Sequence, residues 1–348
     1  LLPAMKKEGL HLIEHYEQLD EKQVAYVDDY FEKNVYPVLT PMAVDSSRPF
    51  PLVRNKTLNI AALISNRDHG GEYDLATVQV PSVLPRIVPL PAEEGEGKKV
   101  ILLEEIIEKN LQKLFLNNRV ICAHPYRIMR NADLSIDEEE AEDLLQEIEK
   151  QLKRRQWGEV IKLEIEAHAD KKLLKELKKQ LSVNDEDVFS IQGPLDLTFL
   201  MKISGMPEFE HLRYKKWVPQ PAKMLVPEQN LFEQIRKRDI LLHHPYETFD
   251  PVVDFVKLAA KDPSVLAIKQ TLYRVSGHSP IIAALAQAAE NGKQVTVLVE
   301  LKARFDEENN IIWAKKLEQA GCHVIYGLVG LKTHSKITLV VRREEDGI

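Results

Sequence analysis

Between residues 265 and 341, apolar β-branched runs alternate with amphipathic stretches, and this alternation constrains the fold more than any other feature. The runs are apolar along most of their length, which is typical of strands buried on both faces of a parallel sheet. Gly292 and Gly321 follow the amphipathic stretches as helix-ending residues. The pattern predicts strands at 265–275, 294–301, 323–326 and 336–341, with helices at 279–291 and 308–320. We therefore predict a βαβαβ unit with a largely parallel sheet.

The sequence before residue 221 predicts a separate domain of mixed α/β type. Its strands are predicted at 36–44, 58–64, 75–80, 119–122 and 160–166, and a helix at 137–155. Three prolines lie between Trp217 and Glu228, and proline disfavours both helix interiors and central strands. We therefore predict an α/β fold with two domains, at 21–221 and 222–348.

Both ends of the chain indicate further sequence beyond them. Apolar residues at positions 2, 5, 10, 12 and 13 are typical of the end of a helix, so we assign 1–20 to the end of a helical region. Asp346–Gly347 is a strong hairpin-turn signal, which requires a returning strand. We expect a piece of a longer protein, cut at both ends.

Composition excludes several classes of protein. Hydrophobic residues make up 44% of the 348 residues and charged residues 29%, which indicates a soluble globular protein without a membrane span. The two cysteines have no partner at metal-ligand spacing, so we predict a reducing, cytoplasmic setting and leave peripheral membrane association open. The net charge of −7 argues against a nucleic-acid partner. A phosphate ligand would therefore need a local basic cluster.

Four charged side chains follow or precede predicted strands at the edge where such sheets bind ligands. Arg274 ends the first strand, Arg304 follows the second, and His334 and Lys336 stand at the last. Residues two apart on a strand project from one face, so the imidazole of His334 and the ammonium of Lys336 can contact the same phosphate group. Two guanidinium groups would complete a phosphate cradle.

Structural roles for these residues are alternatives that spacing leaves open. Spacing alone favours a structural hydrogen bond for His334. Arg274 and Arg304 could equally form surface salt bridges. The run His243-His244-Pro245-Tyr246 could form a substrate loop, although a structural turn is favoured.

Four runs in the same order resemble the bacterial polyphosphate kinases of phospholipase D-like fold. These runs are 235–246, 267–274, 299–307 and 330–336, and 36–41 resembles the family's head domain more weakly. The resemblance implies that 21–221 is this head domain and that 222–348 is the first part of a phospholipase D-like catalytic domain. It also implies a further half-site and an N-terminal helical domain outside this chain. We therefore expect the chain alone to be folded but inactive.

The resemblance implies a reversible reaction in which the γ-phosphoryl group of ATP passes to a histidine and then to polyphosphate. His334 matches the phosphorylated histidine, and Lys336 would stabilise charge on the transferring group. Arg274 and Arg304 match two arginines of the Mg²⁺ and phosphate site. Because guanidinium cannot ligate a cation, we expect them to hold phosphates that Mg²⁺ bridges. The implied ligands are ATP, ADP, Mg²⁺ and polyphosphate, and the intact protein is expected to be a homodimer or higher oligomer.

Two rival functions remain. A phospholipase D-like phosphodiesterase or nuclease would use the same His-Lys pair, but Val341 stands where the broader signature has an Asp. A non-catalytic polyphosphate-binding scaffold would use the basic cluster for binding alone. Replacing His334 by Ala separates these functions, because binding would survive in a scaffold.

Overall fold

The computed structural model describes residues 1–44, 50–66, 73–131, 145–146, 148–150, 158–275, 279–301, 307–327 and 331–348. The chain divides into unit 1, Leu1–Asp133 with Arg154–Tyr214, and unit 2, Leu134–Lys153 with Lys215–Ile348. Within the described residues, every helix is too short or too polar to cross a membrane.

Helices and strands alternate in both units. The helices are α1 Leu2–Lys7, α2 Glu21–Tyr30, α3 Leu103–Asn110, α4 Lys171–Leu181, α5 Leu200–Ser204, α6 Leu231–Lys237, α7 Asp250–Lys261, α8 Pro280–Glu290 and α9 Glu307–Gln319. The strands are β1 Leu10–Ile13, β2 Met42–Val44, β3 Leu58–Asn66, β4 Tyr73–Gln79, β5 Ile87–Pro89, β6 Lys98–Leu102, β7 Asn118–Arg130, β8 Val160–Glu166, β9 Val188–Ile191, β10 Val265–Leu272, β11 Gln294–Val299, β12 His323–Ile325 and β13 Thr338–Arg342. The predicted α/β class is confirmed.

Unit 1 contains a six-stranded sheet in the order β2-β4-β3-β7-β8-β9, antiparallel except between β8 and β9. Alternate residues of β3 pack into different cores, Ile60 with α3 and Leu63 with α4. Leu173 and Leu177 bury one stripe of α4, and the side chain of Asp170 caps this helix. The sheet is therefore covered on both faces.

Two predicted elements of unit 1 are wrong in part. In the predicted strand at 36–44, Tyr36–Val38 is a 3₁₀ turn and only Met42–Val44 is a strand. Pro37 has no N–H to donate to a ladder, which disfavours a strand there. The expected helical N-terminal region is likewise interrupted: Gly9, with φ of +82°, follows α1, and β1 then pairs in parallel with β6.

Unit 2 contains the predicted βαβαβ order in a four-stranded sheet, β12-β11-β10-β13. β10, β11 and β12 are parallel, whereas β13 is antiparallel to β10. Leu285 of α8 and Ala314 of α9 are buried in the core against the sheet. Leu145 and Ile148 also pack in this core, while the rest of the helix predicted at 137–155 lies largely outside the described residues.

The last strand is one of the regions where prediction and structure differ. β13 begins at Thr338, so His334 and Lys336 do not lie on a strand as predicted. They lie in residues 331–337, here called the His334 loop. At its far end β13 leads into a tight turn, where Glu344 and Gly347 pair in an antiparallel bridge.

Candidate phosphate site

The carboxyl ends of β10 and β11 are tied together by one buried amide. Asn310 of α9 is only 2% exposed, and its Nδ2 donates to the carbonyl of Tyr273 at 2.7 Å and to that of Glu300 at 2.8 Å. The N–H of Glu300 donates to the carbonyl of Leu272 at 2.9 Å. The residues that directly follow both strands are therefore held in fixed positions.

The His334 loop is hydrogen-bonded to these same strand ends. The N–H of Thr333 donates to Oε2 of Glu300 at 2.7 Å, and Glu300 is only 4% exposed. On the other side of His334, Thr271 Oγ1 donates to the carbonyl of Ser335 at 2.8 Å. Hydrogen bonds to a buried carboxylate are among the stronger ones in proteins. The backbone that carries His334 is thus fixed on both sides.

Four side chains, three of them predicted site residues, lie around the ring of Tyr273, and we call this group the Tyr273 cluster. The imidazole of His334 lies edge to face with the phenol ring, at 5.2 Å between centroids and 89° between planes. Lys336 Nζ lies 4.5 Å from the centroid of the Tyr273 ring, Lys332 Nζ 5.6 Å and Arg274 Cζ 5.7 Å. These distances fall in the cation–π range. Lys336 Nζ also donates to the carbonyl of His334.

The Tyr273 cluster is open to solvent and strongly basic. Arg274, Lys332, His334 and Lys336 are exposed, while Tyr273 is half-buried. Three cations beside an exposed imidazole form a surface that can accept several phosphate oxygens at once. This arrangement provides the local basic cluster that an acidic chain needs for a phosphate ligand.

Three of the four predicted site residues meet in this cluster. Arg274, His334 and Lys336 come together around one ring, whereas Arg304 lies outside the described residues. Sequence reasoning did not assign roles to Tyr273 or Glu300. Both lie near the ends of predicted strands, within the runs 267–274 and 299–307. This position was the only indication of a role that the sequence offered for them.

The described side chains around Tyr273 offer no direct ligand for Mg²⁺. Guanidinium, ammonium and imidazole groups do not offer the oxygen ligands that Mg²⁺ requires. They suit phosphate oxygens instead, so a magnesium ion would reach this site bound to the phosphates of its ligand.

A separate group of metal-ligand type lies in unit 1. Single ligand atoms of Glu108, His124 and Glu166 lie within 4.8 Å of one another, and His124 Nδ1 is 2.9 Å from Glu166 Oε2. The hydrogen bond from His124 lowers the pKa of Glu166, while burial raises the pKa of Glu108 to about 8. An imidazole ligand suits transition metals better than Mg²⁺. The group brings together α3, β7 and β8, which sequence spacing could not indicate.

The two histidines at 243 and 244 form a structured turn. Glu247 N donates to the His243 carbonyl at 2.8 Å, and His243 N donates to Glu247 Oε2, also at 2.8 Å. His244 Nδ1 lies 3.0 Å from the Glu247 carbonyl. Backbone hydrogen bonds from His243 and Lys223 lower the pKa of Glu247. The turn favoured from the sequence is present.

A basic, imidazole-bearing cluster at the carboxyl edge of an α/β sheet is typical of the class of proteins that bind phosphate-bearing ligands. Comparison with known proteins identifies the family within that class. Residues 22–203 match the polyphosphate kinase middle domain, and residues 230–348 match polyphosphate kinase C-terminal domain 1. The chain therefore belongs to the polyphosphate kinase family, and the resemblance of the four runs is confirmed.

Individual relatives agree with this assignment. The chain is 56% identical over 351 residues to a polyphosphate kinase of Halalkalibacterium halodurans, and 54% identical over 354 residues to one of Bacillus cereus. Each alignment covers 100% of this chain and 50% of the relative. The crystal structure of polyphosphate kinase from Porphyromonas gingivalis matches with a TM-score of 0.78 and 27% identity, covering 99% of this chain and 49% of that one. The chain thus spans about half the length of these relatives, which are kinases by name.

Proposed function

We propose that this chain is part of an ATP:polyphosphate phosphotransferase in which His334 carries the phosphoryl group between the two substrates. The observation that carries this proposal is the exposed imidazole of His334, which stands beside three cationic side chains on a loop hydrogen-bonded at both sides. Membership of the polyphosphate kinase family supports ATP and polyphosphate as the substrates.

The proposed reaction has two balanced steps. An unprotonated ring nitrogen of His334 attacks the γ-phosphorus of ATP, the N–P bond forms, and the bond to the bridging oxygen breaks to release ADP. The terminal oxygen of polyphosphate then attacks the phosphohistidine, the N–P bond breaks, and the polymer grows by one phosphate. Lys336 and Arg274 offset negative charge on the transferring group in both steps.

Several further parts of the proposal rest on the family and on the sequence. Arg304 joins Arg274 in holding phosphates, and Mg²⁺ bound to the nucleotide would neutralise phosphate charge. The complete protein is proposed to be a cytoplasmic homodimer or higher oligomer without a nucleic-acid partner. Residues 21–221 serve as its head domain and 222–348 as the first part of its catalytic half.

Labelling the complete protein with ATP that carries a labelled γ-phosphate tests the role of His334. We expect an acid-labile, base-stable label that His334→Ala abolishes. His323 is also exposed and lies in unit 2, so His323→Ala is the matched control and keeps the label. A histidine-bound label that survives in His334→Ala, or none in the unaltered protein, would overturn the proposal.

A further inference from the structure

Long cationic side chains at an open surface need something that orients them. Lys332, Lys336 and Arg274 are exposed, and like charges repel when no ligand lies between them. Lysine and arginine side chains also have large rotamer entropy, which favours spreading into solvent. All three lie within 5.7 Å of the centroid of one phenol ring, and Lys336 Nζ also donates to the carbonyl of His334. The negative face of an aromatic ring attracts such groups.

The backbone that carries the Tyr273 ring is fixed. Tyr273 directly follows β10, and its carbonyl accepts a hydrogen bond from buried Asn310 at 2.7 Å. Tyr273 as a whole is half-buried. The ring therefore projects from a fixed backbone position, whereas the lysine and arginine side chains around it are long and flexible.

The imidazole of His334 uses the same ring. Its backbone is fixed by hydrogen bonds at Thr333 and Ser335, but the side chain still has two rotatable bonds. The edge-to-face contact with Tyr273, at 5.2 Å and 89°, is a favoured aromatic geometry that selects one orientation. A reacting nitrogen has to point at phosphorus, so ring orientation bears directly on the rate of attack.

We propose that Tyr273 is a positioning residue. Its ring holds the imidazole of His334 and the cations of Lys332, Lys336 and Arg274 in fixed positions relative to one another before phosphate binds. This inference rests on the proposed function, because it assigns the orientation of the nucleophile in that same reaction. The hydroxyl group has no part in it, since every contact that carries the inference is made with the ring.

The expected effect follows from the strengths of these contacts. An aromatic pair and one cation–π contact together correspond to a change of roughly 5- to 60-fold in a local equilibrium. We therefore expect Tyr273→Leu to slow phosphorylation of the histidine by roughly that factor at saturating ATP, whereas Tyr273→Phe keeps the rate within about twofold. Tyr273→Met provides a second non-aromatic variant if the leucine variant does not fold.

A matched control is available after another strand of the same sheet. Tyr326 directly follows β12 and is half-buried, as Tyr273 is after β10. Its hydroxyl donates to Glu318 of α9. Tyr326→Leu therefore removes a ring of similar placement, and we expect the phosphorylation rate to stay within about twofold.

The experiment uses the complete protein with selectively ¹³C-labelled histidine and combines two measurements. Single-turnover labelling gives the phosphorylation rate, and the ¹H–¹³C resonance of His334, assigned with His334→Ala, reports the ring current of Tyr273. We expect loss of that ring-current shift and slower labelling in Tyr273→Leu, with both restored in Tyr273→Phe. A merely structural role would not move the resonance and the rate together and return both with phenylalanine.

The outcomes distinguish a failure of the positioning role of Tyr273 from a failure of the phosphoryl-acceptor role of His334. Normal labelling in both Tyr273→Leu and Tyr273→Met would overturn the positioning role and leave His334 as the phosphoryl acceptor. A wild-type resonance without a ring-current shift would do the same. Absence of histidine-bound phosphate in the unaltered protein would overturn both.

Discussion

We expect Glu105 to make the stability of the chain depend on pH, and we expect Glu105→Gln to remove this contribution. This residue lies on α3 and lines a cavity of about 240 Å³ in unit 1, together with Glu104 and Glu166. Burial, followed by the negative charges of Glu166 and Glu104, raises its pKa from 4.5 to about 8. His15 Nδ1 lies 3.8 Å from the Glu105 carboxylate, and the Glu105 side chain is 21% exposed.

The sign of the effect follows from the direction of the shift. Below pH 4.5, Glu105 is protonated in both the folded and the unfolded chain and contributes no pH dependence. Between pH 4.5 and about 8 the unfolded chain releases the proton while the folded chain retains it, so stability falls as pH rises. Above pH 8 the loss is complete, at roughly 5 kcal/mol as an upper limit from about 1.4 kcal/mol per pH unit.

Glu105→Gln removes the ionisable group while keeping its shape. We expect similar urea-unfolding free energies for variant and parent at pH 4.5, and a more stable variant at pH 9, by up to roughly 5 kcal/mol. Glu94 is an exposed glutamate of the same unit, so Glu94→Gln is the control and should leave the pH profile unchanged. Unfolding is followed in a buffer with a chelator, since Glu166 also lies in the group of metal-ligand type. Parallel pH profiles for Glu105→Gln and the parent would refute the reasoning.

Two further substitutions test buried contacts. Arg86 is paired with Glu104 in a buried salt bridge, with side-chain exposures of 14% and 5%, so Arg86→Met should leave a buried charge and lower the unfolding free energy by about 3–5 kcal/mol. An unfolding free energy within about 1 kcal/mol of the parent would contradict that expectation. Asn310→Leu removes both hydrogen bonds to the strand-end carbonyls and should cost about 2–4 kcal/mol in the same assay. Asn309 is exposed, so Asn309→Leu is the control. Equal losses of unfolding free energy in the two variants would argue against a stabilising role for the Asn310 hydrogen bonds.

Elements with strong local patterns were predictable from the sequence. Strand β10 is rich in apolar and β-branched residues, and α8 begins at Pro280 and is followed by Gly292. Both elements can therefore be predicted from residues that are close together in the sequence. The sequence did not predict β1, because its four residues are a strand only through parallel pairing with β6, almost ninety residues later in the chain. Tertiary pairing of this kind leaves little trace in local periodicity.

The candidate site was predictable in its charged members and not in what holds them. Arg274, His334 and Lys336 stand out because they lie at the ends of predicted strands, where α/β sheets bind ligands. Asn310 and Glu300 look like ordinary polar residues in the sequence, yet both are buried and hydrogen-bond the strand ends or the His334 loop. Their importance depends on burial, which is a property of the folded chain.

His334 precedes strand β13, whereas Arg274 follows strand β10. The direction of β13 explains how the two residues reach the same edge of the sheet. In a fully parallel sheet, residues after each strand reach the ligand-binding edge, and residues before each strand reach the opposite edge. β13 is antiparallel to β10, with Gln270 paired to Thr338 and Val265 to Arg342, so its beginning lies beside the carboxyl end of β10. His334, which comes before β13, therefore arrives next to Tyr273, which comes after β10. The same two motifs on a parallel pair of strands would lie at opposite edges of the sheet, about the length of a five-residue strand apart, roughly 17 Å. The reversal of one strand is thus what assembles the Tyr273 cluster.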